Sequence, residues 1–241
     1  MIEAGEPLGT RYVVVKTVTE PRAGALFEVA DHAGMQFHGQ LLSATAVAPA
    51  LAAAVRQAVV GLPALPSVLK ARDVALTSHA LPVALLERPG GTTLATERLA
   101  EIVEALGKRE ATVWLFRQVA AIANDLAQIH QGGATHGAIS AQCIVCAALG
   151  DAGNLQLSGF GIDAFARGNN PENAPSKRAD LVALLNALQE LFSVGGLSPE
   201  GGAAAKWLLL RTSAQHGEHP ALASGTSLAT ALNEMAARCA R

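Results

Sequence analysis

The chain has 241 residues, half of them apolar and 16% charged, with a net charge of −2 at neutral pH. That composition excludes a disordered chain and leaves no basic footprint for nucleic acid or anionic lipid. The length exceeds a usual single core of about 100–200 residues, so one large or bilobal domain is expected.

In chain order, Arg11–Val18, Ala25–Asp31 and Met35–Leu42 read as three β-branched, apolar strands separated by turn signals at Glu20-Pro21-Arg22 and His32-Ala33-Gly34. Ala50–Val60 turns to helical spacing, with Pro49 in its first turn and Gly61-Leu62-Pro63 ending it. Ser67–Leu76 and Leu81–Glu87 read as two further strands, and Arg88-Pro89-Gly90-Gly91 breaks the pattern. Beyond it the spacing predicts helices over Thr96–Leu106 and Ala111–His130, short strands at Cys143–Ala147 and Leu155–Leu157, and helices near Pro175–Val194, Ala203–Ser213 and Thr226–Ala240. This is an α+β layout: a small lobe of five strands and one helix, then a larger, mainly helical lobe.

The start, MIEAGEPLG, has no basic or apolar signal region, and no window approaches about 18 consecutive apolar residues. A cytoplasmic protein without a membrane span is expected. Three cysteines make a disulfide framework implausible. Cys143 and Cys146 form one CxxC with no second pair, so zinc or redox work competes there with the plainer reading of two small buried side chains. His216 and His219 could share a metal, but their HGEHP setting reads as a polar loop.

The most specific stretch runs from Ile129 to Gly161. Ile129-His130-Gln131-Gly132-Gly133-Ala134-Thr135-His136-Gly137 resembles the L-H-x-x-G-x-x-H-[RG] run that enters a protein-kinase catalytic loop. Ile139, Ile144 and Val145 keep the apolar positions that follow, and Gly159-Phe160-Gly161 stands where such chains carry D-F-G. Upstream, Leu8–Tyr12 is similar to the entry into the first kinase strand, and Val18–Phe27 has the length of the glycine-rich loop. On these residues the chain resembles the bacterial serine/threonine protein kinase family along nearly its whole length. The resemblance implies one bilobal domain over 1–241, with a small lobe at 8–88, a hinge at 89–91 and a large lobe at 92–241.

Within that frame the chemical residues are replaced. Of the loop glycines only Gly24 remains, with Thr19 and Pro21 at the other two positions; proline has no N–H for a phosphate. No lysine occurs between Lys16 and Lys70, and Gly39 or Gln40 stands where the family places its phosphate-binding lysine. No glutamate occurs from Val29 to Leu86, so the helix at Ala50–Val60 has no acid to pair with it. Gly24, Gln40 and Glu87 are therefore vestigial nucleotide positions. The catalytic aspartate, the following lysine, the metal-binding asparagine and the D-F-G aspartate correspond to Ala138, Ser140, Cys143 and Gly159. Between Asp125 and Asp163 the only carboxylate is Asp151, in a Gly-flanked turn, while Asp163 lies just past the motif.

Other family positions persist. His136 and Phe160 match residues that pack the loop, Gly161 keeps the turn, and Asp180 matches the buried aspartate that caps the loop's amides. The segment after Gly161 lacks A-P-E and ends in a polar NNPENAPS run, and GGLSPEGG leaves no room for the usual substrate helix, so the C-terminal part is abbreviated. The closing arginine of the family has become Ala221 or a neighbour. The resemblance with these losses implies a pseudokinase: no catalytic residues, no metal, no cofactor, and ATP binding not expected. Its partners would be proteins, such as an active kinase or a phosphopeptide-reading protein, and not nucleic acid. Two alternatives stay open: a nucleotide sensor that binds without metal, and a residual transferase with non-standard chemistry in the cleft.

Overall fold

Strand pairing begins at the second residue: Ile2 bridges Val18, and the described residues then run through nine strands and seven α-helices. The computed structural model describes residues 1–87, 92–147, 153–167, 176–194, 196–212 and 223–241. The expected hinge at 89–91, Asp151, the NNPENAPS run up to Pro175, the His216–His219 loop and Ala221 lie outside the described residues. The described chain divides into two compact units, each discontinuous in sequence.

The first unit comprises Met1–Leu65, Leu69–Pro89 and Ser158–Ala174. Its sheet is antiparallel throughout, in the order β1 (Pro7–Leu8), β2 (Tyr12–Val14), β3 (Leu26–Asp31), β4 (Gln36–Leu41), β6 (Pro82–Glu87), β5 (Ala71–Leu76). Five of these correspond to the strands read from the sequence; the two-residue β1 adds a sixth at the edge. A strand of two residues has no alternation to detect, which is why the periodicity misses it. Alternate residues Phe27, Val29, Phe37, Leu41, Val83 and Leu85 meet Tyr12 and Val14 in one buried cluster. Tyr12 and Phe37 meet edge to face, with ring centroids 5.6 Å apart. Burying side chains of this size is worth about 1.5–3 kcal/mol each.

Helix α1 (Pro49–Val60) starts at a proline whose missing N–H would have been unbonded in any case, and it buries Ala52, Val55 and Val59. Its single charge, Arg56, reaches Asp73 on β5 at 2.5 Å. Asp73 also accepts from the Tyr12 hydroxyl (3.4 Å) and from the Val74 amide (2.8 Å). A short helix, α4 (Ile162–Arg167), which the sequence reading did not anticipate, follows the Gly159-Phe160-Gly161 turn.

The second unit comprises Pro66–Val68, Gly90–Leu157 and Pro175–Arg241. A three-stranded antiparallel sheet, β7 (Thr92–Leu94), β8 (Ile144–Ala147) and β9 (Asn154–Leu157), accompanies five helices. These are α2 (Ala95–Leu106), α3 (Lys108–Gln131), α5 (Lys177–Val194), α6 (Pro199–Thr212) and α7 (Gly225–Cys239). Leu115, Phe116, Ile122 and Leu126 of α3 are fully buried, as are Leu228 and Leu232 of α7, the helix against which α3 packs most extensively.

Two segments fall differently from the sequence reading. The strand expected from Ser67 starts only at Ala71, because residues 66–68 belong to the helical unit. There the Ser67 amide donates to Asp125 Oδ2 (2.7 Å), the Leu157 amide donates to the Ser67 carbonyl (2.8 Å), and Val68 bridges Leu157. Helix α6 begins at Pro199, not near Ala203: Ser198 Oγ accepts from the Gly201 amide (3.1 Å) and proline stands at the first helical position. Close packing calls for glycine at 201, because a Cβ there would strike the Thr112 methyl and come 2.8 Å from the Phe192 ring.

Candidate functional site: a kinase-like loop without its carboxylates

The loop after α3 is organised around one carboxylate. Asp180, in the first turn of α5, is 1% exposed. Its Oδ2 accepts from His130 Nε2 (2.9 Å) and from the His136 amide (2.8 Å), and its Oδ1 accepts from the Gly137 amide (2.7 Å). Burial by itself would raise its pKa, but the bonds from His130, His136 and Gly137 and the nearby His136 ring together outweigh it. The carboxyl is held below its ordinary value. His136, 2% exposed, turns its Nδ1 back to accept from the Ala138 amide (3.3 Å).

Past Ala138 the loop closes on itself. Ser140 leads into a short 3-10 turn, Ala141–Cys143, whose last amide donates to the Ser140 carbonyl (3.0 Å). The Cys143 thiol donates to the Ala138 carbonyl (3.4 Å) and lies 3.6 Å from Ser140 Oγ. Cys143 and Cys146 are both buried and unbridged. Burial raises both thiol pKa values, more than the Ser140 bonds lower Cys143 or Arg98 lowers Cys146. Buried thiols of this kind pack as small apolar side chains. Among the described residues no three His, Cys, Asp or Glu side chains gather as a metal site.

In the β-rich unit the positions that the resemblance assigns to the nucleotide make a second arrangement. Gln40 sits in mid-sheet opposite Leu26 and Ala84 and is completely buried. Its Nε2 donates to Ser158 Oγ (3.1 Å) and to the Gly24 carbonyl (3.4 Å), while its Oε1 has no hydrogen-bond partner among the described residues. Gly39, the other register candidate, points to the opposite face, where a Cβ would meet the Phe27 ring at 2.7 Å. Gly24 also donates its amide to the Leu41 carbonyl (2.7 Å), so both of its backbone groups are bonded within the sheet. Glu87 closes β6 opposite Phe37.

Ser158 leads directly into Gly159 and Phe160, which is 5% exposed. Gly161 has φ +99°, and a Cβ there would come 2.8 Å from Val55 and 3.0 Å from Val59, so only glycine lets this turn lie against α1. Asp163 is 8% exposed in the first turn of α4.

Three contributors escaped the sequence reading. His130 was read only as part of a motif, yet it is a direct partner of Asp180. Asp125 was passed over, although a carboxylate on the buried face of α3 requires a donor, which Ser67 supplies. Arg56 stood in plain view as the lone charge of α1. Its partner lies 17 residues away on β5, outside the reach of helical spacing.

No protein-family model and no curated protein sequence matches the chain. Solved structures do. The kinase domain of Mycobacterium tuberculosis PknI superposes with a TM-score of 0.63 at 20% identity, covering 98% of this chain and 100% of that one. The Neurospora crassa PAN3 pseudokinase and C-terminal region, in complex with PAN2, gives 0.66 at 12% identity over 98% of this chain and 64% of that one. A mutant PAN3 pseudokinase gives 0.67 at 13% identity over 100% and 66%. At such identities the likeness concerns architecture alone: the chain has a protein-kinase-like fold.

Proposed function

We propose that this chain is a catalytically inactive, cytoplasmic kinase-like module that acts by binding a protein partner. The observation that carries the reading is the contrast between the loop's supports and its chemical positions. Asp180, His130 and His136 hold the backbone in place, while Ala138, Ser140, Cys143 and Gly159 offer no carboxylate, amide or ammonium. Loss of a positioned general base alone typically costs ~10²–10⁴ in rate. Mg²⁺ wants oxygen ligands, and cysteine and glycine side chains supply none. Gln40 adds a neutral, buried amide where the family has a lysine, and it is engaged with Ser158 and Gly24. A triphosphate would meet no cation there to balance its charge.

Protein binding is supported by analogy. The PAN3 pseudokinase region was captured with PAN2, which makes partner docking a known use of a related fold. An active kinase or a phosphopeptide-reading protein is the class of partner the bacterial kinase resemblance favours. Thermal unfolding with ATP in Mg²⁺ and in EDTA, beside a phosphotransfer assay, tests the proposal. No shift in either buffer and no transfer is the expected result. A shift in EDTA alone or in both buffers identifies a metal-independent sensor, and a Mg²⁺-dependent shift with turnover overturns the inactive reading.

A further inference from the structure

The helical unit contains a groove of about 650 Å³ at the start of α3, walled by α6 and the end of α7. Its lining includes Arg109, Glu200, Trp207, Met235, Arg238 and Arg241. Three arginines face one glutamate, a local positive excess on a chain whose net charge is −2. Trp207 is 45% exposed, and Leu210, one turn further along α6, is 60% exposed. Tryptophan, methionine and arginine are the side chains over-represented at protein interfaces, and tryptophan and arginine dominate their hot spots.

One wall is fixed. Arg109 Nε donates to the Cys239 carbonyl (3.0 Å) and its Nη2 to the Ala240 carbonyl, so this guanidinium closes the end of α7 and stays in place. The groove is also remote from the catalytic-like loop. Helix α3 rises about 35 Å over its length, with Arg109 in its first turn and the loop following Gln131 at its other end.

We propose that this groove docks an acidic peptide segment of a protein partner. One bulky apolar side chain of that segment seats against Trp207 and Met235, and flanking carboxylates meet Arg238 and Arg241. Guanidinium groups take carboxylates in bidentate fashion, and clusters of them are a recurrent means of reading acidic motifs. The inference rests on the reading of the chain as a protein-binding module and names the surface and partner chemistry for it.

The test is an array of ten-residue peptides in which one Leu, Phe or Trp is scanned through a background of Asp, Glu, Ser and Gly. A matching array carries Lys in place of every acid. Binding to the whole chain is read by fluorescence anisotropy. Binding confined to the acidic array, weakened by added salt, is expected. The Arg238→Glu/Arg241→Glu double variant and Trp207→Ala should each lower affinity at least tenfold. The arginine pair is exposed and keeps the test usable should Trp207→Ala fail to fold, which circular dichroism would reveal. No binding, equal binding of acidic and basic peptides, or parental affinity in the arginine variant overturns the proposal. Phosphotransfer measured on the same preparation separates the two ideas: turnover overturns the inactive reading, whereas an unresponsive groove without turnover overturns only the docking surface.

Discussion

A carboxylate sealed from water is tolerable only when donors surround it, and Asp180 has three, from His130, His136 and Gly137. These donors hold its folded-state pKa below the ordinary carboxylate value despite burial. The stabilisation is therefore complete above the unfolded value of about 4 and is lost as pH falls through the lower folded value. Replacing Asp180 with Asn should cost about 2–4 kcal/mol at pH 7, since two backbone amides and His130 lose a charged acceptor. Urea unfolding from pH 7 down to pH 3 checks both parts. The parent should lose stability more steeply than Asp180→Asn below about pH 4, and parallel curves would remove Asp180 from the account. The kinase resemblance pointed to Asp180 as the residue that caps the loop's amides. The ring of His130 was not legible as its partner, because residues 50 apart meet only after α3 and α5 have packed.

At the scale of elements, close approach of backbones decides more than propensity. Gly225 opens α7 directly behind the capping Ser224, whose Oγ accepts from the Ser227 amide (3.0 Å). A Cβ on Gly225 would strike the Ala123 carbonyl oxygen and come 2.9 Å from the Ala127 amide nitrogen, both backbone atoms of α3. Glycine to alanine inside a helix ordinarily stabilises by roughly 0.5–1 kcal/mol. Here the sign should reverse, with Gly225→Ala losing about 1–3 kcal/mol as α7 is pushed off α3. Chemical denaturation reads the sign directly, and a gain in stability would show that the two helices can part freely. The same logic applies at Gly161 against Val55 and Val59. Except for the short α4, helix existence was legible from apolar spacing, but α6 was read as starting too late because two glycines masked the Ser198-Pro199 start signal.

For the whole molecule, the substitutions on which the proposed inactivity rests are spread over both units, so no single reversion should recover phosphotransfer. Gln40→Lys combined with Ala138→Asp, Cys143→Asn and Gly159→Asp would restore four of the side chains that the kinase resemblance assigns to phosphotransfer. The lysine would then be an ammonium at a completely buried position, with no glutamate in α1, whose one charge is Arg56. An uncompensated buried charge costs about 3–5 kcal/mol. The quadruple variant is expected to be less stable than the parent and to transfer phosphate from Mg·ATP no faster than background. Measurable turnover would mean that the remaining architecture is closer to competence than its charge pattern implies.

Apart from β1, β7 and α4, the order of strands and helices was legible in the sequence alone, as was the kinase-like class. Both follow from local periodicity or from spacing within a few residues. Only the tertiary structure decided which face Gln40 takes, that Ser67 belongs with Asp125, that Arg56 pairs with Asp73, and that a positive, apolar groove forms where α3, α6 and α7 meet. Those outcomes depend on side chains 17 to 130 residues apart being brought together. Spacing along a chain carries no information about such encounters until the helices and sheets have packed.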